Sequence, residues 1–110
     1  MIIRENNNKN ICILEIKGRL DSATSPELEK RLFELLDEGA ANFLLDFSQM
    51  DYISSIGLRV LLMTAKKSKS AGGKVVLCRL QDNVREVFEI AGFLTIFTEY
   101  CSQEEALDNY

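Results

Sequence analysis

Asn42-Phe43-Leu44-Leu45-Asp46-Phe47 leads through Met50-Asp51-Tyr52-Ile53-Ser54-Ser55-Ile56-Gly57-Leu58 into a helical stretch reaching Ser70. Gly72-Gly73 and then Lys74-Val75-Val76-Leu77-Cys78 follow. This run, in the middle of a 110-residue chain, decides the fold. Its first segment is apolar without strict alternation, as expected of a strand covered on both faces. From Ser55 to Ser70 the period changes: Leu58, Leu61, Leu62 and Ala65 fall on one side of a helix, and Arg59, Lys66 and Lys67 fall elsewhere. The paired glycines stop that helix, and Lys74–Cys78 reads as the next strand. A strand–helix–strand unit of this length joins parallel strands.

Upstream, Ile2 to Glu5 and Ile11 to Ile16 read as two strands joined by the polar cluster Asn6-Asn7-Asn8-Lys9-Asn10, an antiparallel hairpin. Gly18 to Ala23 reads as loop. Pro26 suits the first helical position, with Ser25 as the cap or Thr24 and Glu27 as a capping box. Leu28, Leu32, Leu35 and Leu36 give that helix its apolar stripe, and Gly39 ends it. Downstream, Asp82 can cap a helix carrying Val84, Val87, Phe88 and Ala91, ended by Gly92. Thr95-Ile96-Phe97 reads as a short strand, and Ser102 with Glu105 opens a last helix through Ala106 and Leu107. The expected order is ββαβαβαβα. It describes one α/β domain over 1–110, with a mixed, mostly parallel sheet, an N-terminal antiparallel hairpin and flanking helices.

Composition narrows the chemistry. Thirteen Lys+Arg against seventeen Asp+Glu give a net charge of −4, and no basic run supports nucleic-acid binding. Histidine is absent, so Ser-His-Asp and Cys-His catalysis, His-bound zinc and imidazole acid–base chemistry are excluded. Cys12, Cys78 and Cys101 are odd in number and widely spaced, a pattern that fits a reducing compartment. No stretch approaches the ~20 apolar residues of a membrane span, and the first residues lack a basic-then-apolar signal. The sequence therefore predicts a cytoplasmic protein without membrane insertion, metal or cofactor. Asp21, Asp46 and Asp51 do not cluster as a receiver-type metal pocket requires, and Ala71-Gly72-Gly73-Lys74 lacks the spacing of a nucleotide loop.

The connection into the Ser55–Ser70 helix carries the candidate chemistry. In an open α/β sheet, ligands and partners meet the chain where strands end and helices begin. Either Ser54 or Ser55 can cap the helix, with Gly57 allowing close packing; that is the purely structural reading. The functional reading is a phosphorylation switch. The helix N-terminus tolerates a phosphate, whereas a partner built for a neutral hydroxyl does not, and Gly57 would let a kinase approach.

Asp51 to Leu62, preceded by Leu44-Leu45-Asp46-Phe47-Ser48, resembles the signature of bacterial anti-sigma factor antagonists in the STAS domain family. Gly18-Arg19-Leu20-Asp21 resembles that family's G-x-L-D loop, so the likeness spans the chain. It implies a non-enzymatic module that binds an anti-sigma factor serine kinase of the GHKL ATPase type. Phosphorylation releases it, and a PP2C-type phosphatase restores it. The modified residue lies two before the motif glycine, which is Ser55 here, with Ser54 the second choice. The sporulation and stress-response members carry Asp where this chain has Ser54. By the same resemblance Asp21, Ser22, Ser54, Ser55, Ile56, Gly57, Leu58 and Arg59 form the partner-binding surface. The alternative is a constitutive STAS subunit of a transporter or signalling scaffold complex.

Overall fold

The computed structural model describes Met1–Tyr110 throughout. The strands are β1 (Ile2–Asn8), β2 (Ile11–Leu20), β3 (Asn42–Asp46), β4 (Met50–Ile53), β5 (Val75–Cys78) and β6 (Thr98–Tyr100), of which β2, β3 and β5 are the β-branched and leucine-rich runs. The helices are α1 (Ser25–Asp37), α2 (Ser55–Ser70), α3 (Asp82–Ile90) and α4 (Gln103–Asp108), with a 3₁₀ turn at Phe93–Thr95. The long strand β2 is the hub. It pairs antiparallel with β1, then parallel with β3 over Ile11–Glu15 and parallel with β4 over Gly18–Leu20. β5 and β6 extend the sheet beyond β3 in parallel, giving the order β1-β2-β3-β5-β6 with β4 beside the far half of β2. The expected α/β class, with its mixed sheet and opening hairpin, is the class observed.

Both faces of the central strands are apolar, because helices cover both. Leu14, Ile16, Phe43, Leu45, Val75 and Leu77 point into one core with Leu28 and Leu32 of α1, Leu58 and Leu61 of α2, and Phe88 of α3. The alternating residues Ile13, Leu44, Val76 and Cys78 meet Ala106 of α4 on the other side. Phe88 is fully buried, with its ring centroid 6.3 Å from each of Phe47, Phe93 and Phe97.

Several boundaries depart from expectation. The hairpin turn is only Lys9–Asn10, and Lys9 rather than an asparagine takes the positive φ of 56°. Gly18–Leu20 is strand, since β4 offers it a partner. β4 itself lies inside the segment expected to be loop. The expected strand Thr95–Phe97 is displaced: a 3₁₀ turn occupies Phe93–Thr95, and β6 begins at Thr98 beside Val76. Thr24 stands at the α1 cap position, but its side chain accepts from no N–H of the helix, and Ser25 is buried in the first turn. Gln81 rather than Asp82 precedes α3.

Asp46 ends β3 and is fully buried. Its carboxylate accepts from the Ser48 N–H (2.9 Å), from Arg79 Nη2 (2.5 Å) and Nε (3.3 Å), and from Gln103 Nε2 (2.6 Å). Burial alone would raise its pKa. The Arg79 guanidinium, the Ser48 amide and Gln103 outweigh that and hold the carboxyl below its ordinary value. As pH falls the unfolded carboxyl takes up a proton first. The stabilisation is therefore complete above the ordinary carboxylate pKa of about 4 and is lost as pH drops through the lowered folded value.

Two outcomes follow for chemical denaturation. Phe88→Ala loses about 3–5 kcal/mol, the usual cost of emptying an aromatic site. Asp46→Asn costs about 2 kcal/mol at neutral pH by weakening charge-assisted hydrogen bonds, and its gap from wild type narrows below about pH 4.

Candidate functional site

The site is assembled by the parallel pairing of β2 and β4. Arg19 lies opposite Tyr52 and Leu20 opposite Ile53, and the Ser54 N–H donates to the Leu20 carbonyl at 2.9 Å. The chain segments that follow, beginning at Asp21 and Ser54, therefore leave the sheet side by side. The two sequence motifs, thirty residues and more apart in the chain, share one rim.

Asp21 is fixed as a turn residue. Its Oδ1 accepts from the backbone N–H groups of Ala23 (3.0 Å) and Thr24 (3.2 Å), while its own N–H donates to Thr24 Oγ1 (2.9 Å). Thr24 Oγ1 in turn donates to the Arg19 carbonyl at 2.7 Å. The Thr24 N–H above all, with that of Ala23, the Arg19 guanidinium and the Thr24 hydroxyl, holds the Asp21 carboxyl below its usual range against the cost of desolvation. Ser22 beside it is exposed.

The two serines part company at the head of α2. Ser54 is the N-cap, extended at φ −99° and ψ 172°, and its Oγ accepts from the Gly57 N–H at 3.3 Å. Ser55 is the first helical residue and is exposed, with its hydroxyl outside that cap. Ile56 is 45% exposed beside it, and Arg59 is exposed one turn on. Gly57 and Leu58 turn the other way. A Cβ on Gly57 would stand 2.8 Å from Leu20 Cγ and 3.0 Å from Ile53 Cγ1, and Leu58 is 6% exposed. The bare side of Gly57 thus faces the core. Its role is to seat α2 on Leu20 and Ile53 rather than to clear an approach for a kinase, and the Leu58 side chain faces inward with it.

Two residues of this rim escaped the sequence reading. The Arg19 guanidinium lies 4.1 Å from the centre of the Tyr52 ring, with Nε 3.4 Å from Asp21 Oδ2. Tyr52 is 40% exposed. Arginine and tyrosine on an accessible rim are the residues that most often anchor protein interfaces. Only the register of β2 against β4 brings them together, and one-dimensional spacing carries no sign of it. The rim is held from behind: Gln81 Nε2 donates to the Ser48 carbonyl (2.9 Å) and Asn83 Nδ2 to the Asp51 carbonyl (2.7 Å), tying the β3–β4 connection to α3. Asp51 lies on the outer side of β4, apart from both Asp21 and the buried Asp46. No helix is long and apolar enough to cross a membrane.

The family model for the STAS domain matches residues 3–106, which take in the whole mixed sheet and its paired rim. The chain belongs to the STAS domain family. BtrV of Bordetella bronchiseptica, a provisionally assigned anti-sigma factor antagonist, is 46% identical over 91 residues, 83% of this chain and 78% of its own. The anti-sigma-B factor antagonist of Bacillus subtilis is 30% identical over 89 residues, 81% of each chain. The structure of the anti-sigma factor antagonist SpoIIAA in its unphosphorylated form superposes with a TM-score of 0.86 at 18% identity, covering 98% of this chain and 95% of that one.

The geometry separates three neighbouring substitutions by denaturation. Ser54→Ala loses about 1 kcal/mol with the cap. Gly57→Ala loses about 1–3 kcal/mol by forcing Leu20 and Ile53 apart. Ser55→Ala stays within about 0.5 kcal/mol of wild type, as an exposed position outside the cap should.

Proposed function

We propose that this protein is an anti-sigma factor antagonist working by partner switching. With Ser55 unmodified, its rim binds an anti-sigma factor serine kinase of the GHKL ATPase type and frees that kinase's target. Phosphate on Ser55 releases the complex, and a PP2C-type phosphatase restores the binding form. The observation that carries the reading is the division of labour at α2: Ser54 Oγ is occupied as the cap, and Ser55 presents an exposed hydroxyl on the rim shared with Asp21. The relatives named anti-sigma factor antagonists support the partner class.

The chemistry of release follows from charge. A phosphoserine carries roughly −1.5 to −2 charges, which the helix N-terminus accommodates without unfolding. Against a partner surface packed on Tyr52 and Ile56, the same charge must be desolvated, and binding is lost. Asp21, Ser22, Arg19, Tyr52, Ile56 and Arg59 supply the contact surface, with Ser54, Gly57 and Leu58 holding the helix in place beneath it.

Incubation with the cognate kinase and ATP should add one phosphate, seen as a single mass increment. Ser55→Ala should abolish it while retaining the complex in size-exclusion chromatography, and Ser55→Glu should weaken binding at least tenfold. A phosphate that persists on the Ser55→Ala chain would move the modification to Ser54. Recovery of a transporter ATPase subunit in place of a serine kinase would favour the constitutive-subunit reading.

A further inference from the structure

We infer that Arg59 is the internal counter-ion of a phosphate on Ser55, an assignment that rests on the proposed modification and adds the residue that receives it. Ser55 and Arg59 both belong to α2 and are both exposed. At a separation of four they share one face of the helix, with Cβ atoms about 5–6 Å apart. Helical side chains lean toward the N-terminus, so a long side chain at position 59 covers the turn that carries Ser55.

The Arg59 guanidinium is also uncommitted. Arg19, Arg31, Arg79 and Arg85 each have a carboxylate within 4 Å, whereas Arg59 has none. The first turn of α2 contains no acidic residue. A cation near the positive end of a helix dipole is mildly unfavourable unless an anion joins it. A phosphoryl group on Ser55 Oγ supplies that anion, and the planar guanidinium can donate two hydrogen bonds to its oxygens. Arg19 is the other cation on the rim, and it is already engaged by Asp21 and the Tyr52 ring. In the unmodified protein Arg59 is free to meet a partner carboxylate. Modification then acts twice: it adds negative charge to the rim and removes a positive one.

The test needs no partner. Phosphoserine is installed at position 55 during synthesis of the full chain, and ³¹P NMR follows the second ionisation of the phosphate. With Arg59 present, the phosphate should be about two- to fivefold more acidic than in the Arg59→Ala chain, with Arg59→Lys in between. The unphosphorylated wild-type and Arg59→Ala chains should melt alike, because the position is exposed. Raising the salt concentration should shrink the difference in acidity. Equal acidity in the wild-type and Arg59→Ala phosphoproteins would overturn the pairing, as would a shift that is lost on Arg19→Ala instead. Neither result bears on whether a kinase selects Ser55. Conversely, a kinase that ignores Ser55 would sink the proposed switch and leave the ion pair measurable on the synthetic protein.

Discussion

The contact of Gly57 with Leu20 and Ile53 is the constraint on which the site depends. It lets the first turn of α2 lie directly on the ends of β2 and β4, a distance no larger residue permits. Leu20 is fully buried and Ile53 nearly so, which makes this a core contact reaching to within two residues of the exposed serine. Core packing resists gradual deformation. The Ser55 hydroxyl is accordingly held on a rigid mount, which is what the proposed switch requires if added charge is to leave the fold undisturbed.

Rigidity of the mount and accessibility of the rim come from opposite sides of the same few residues. Along 53–59 the pattern runs buried, half-buried, exposed, exposed, buried, buried, exposed. Ile53, Gly57 and Leu58 anchor the turn; Ser55, Ile56 and Arg59 face outward; and Ser54 caps between them. The partner-binding residues expected from family resemblance thus divide into exposed residues and seating residues. That division comes from helical geometry, to which a linear motif is blind.

Much of the architecture was legible in the sequence because helices and central strands declare themselves by period. The stripe of Leu28, Leu32, Leu35 and Leu36, and the unbroken run Phe43-Leu44-Leu45, each signal their element through burial that repeats at the right interval. β4 did not, for a physical reason. Met50 and Ile53 are both buried although three positions apart, which contradicts the two-residue period of a strand. The register slips between Gly18 and Arg19: Met50 faces Gly18 and Tyr52 faces Arg19, leaving Asp51 without an opposite number. A bulge of this kind erases the alternation by which strands are recognised. The same slip hid the Arg19–Tyr52 contact. The pairing of buried Asp46 with exposed Arg79 was equally invisible, since it joins positions 33 apart, and Arg79 adopts φ 57°, a conformation that sequence gives little reason to assign to arginine.

The unpaired residue in β4 also shapes the strand that leads into α2. With Asp51 present, Tyr52 projects outward and Ile53 inward, and the serines emerge on the accessible side. Excising Asp51 would leave Met50, Tyr52 and Ile53 facing Gly18, Arg19 and Leu20 in unbroken register, with the same side chains inward and outward but without the added twist of a bulge. The extra link is therefore a bend rather than a spacer: it turns the strand end toward the helix without changing which side chains face the core.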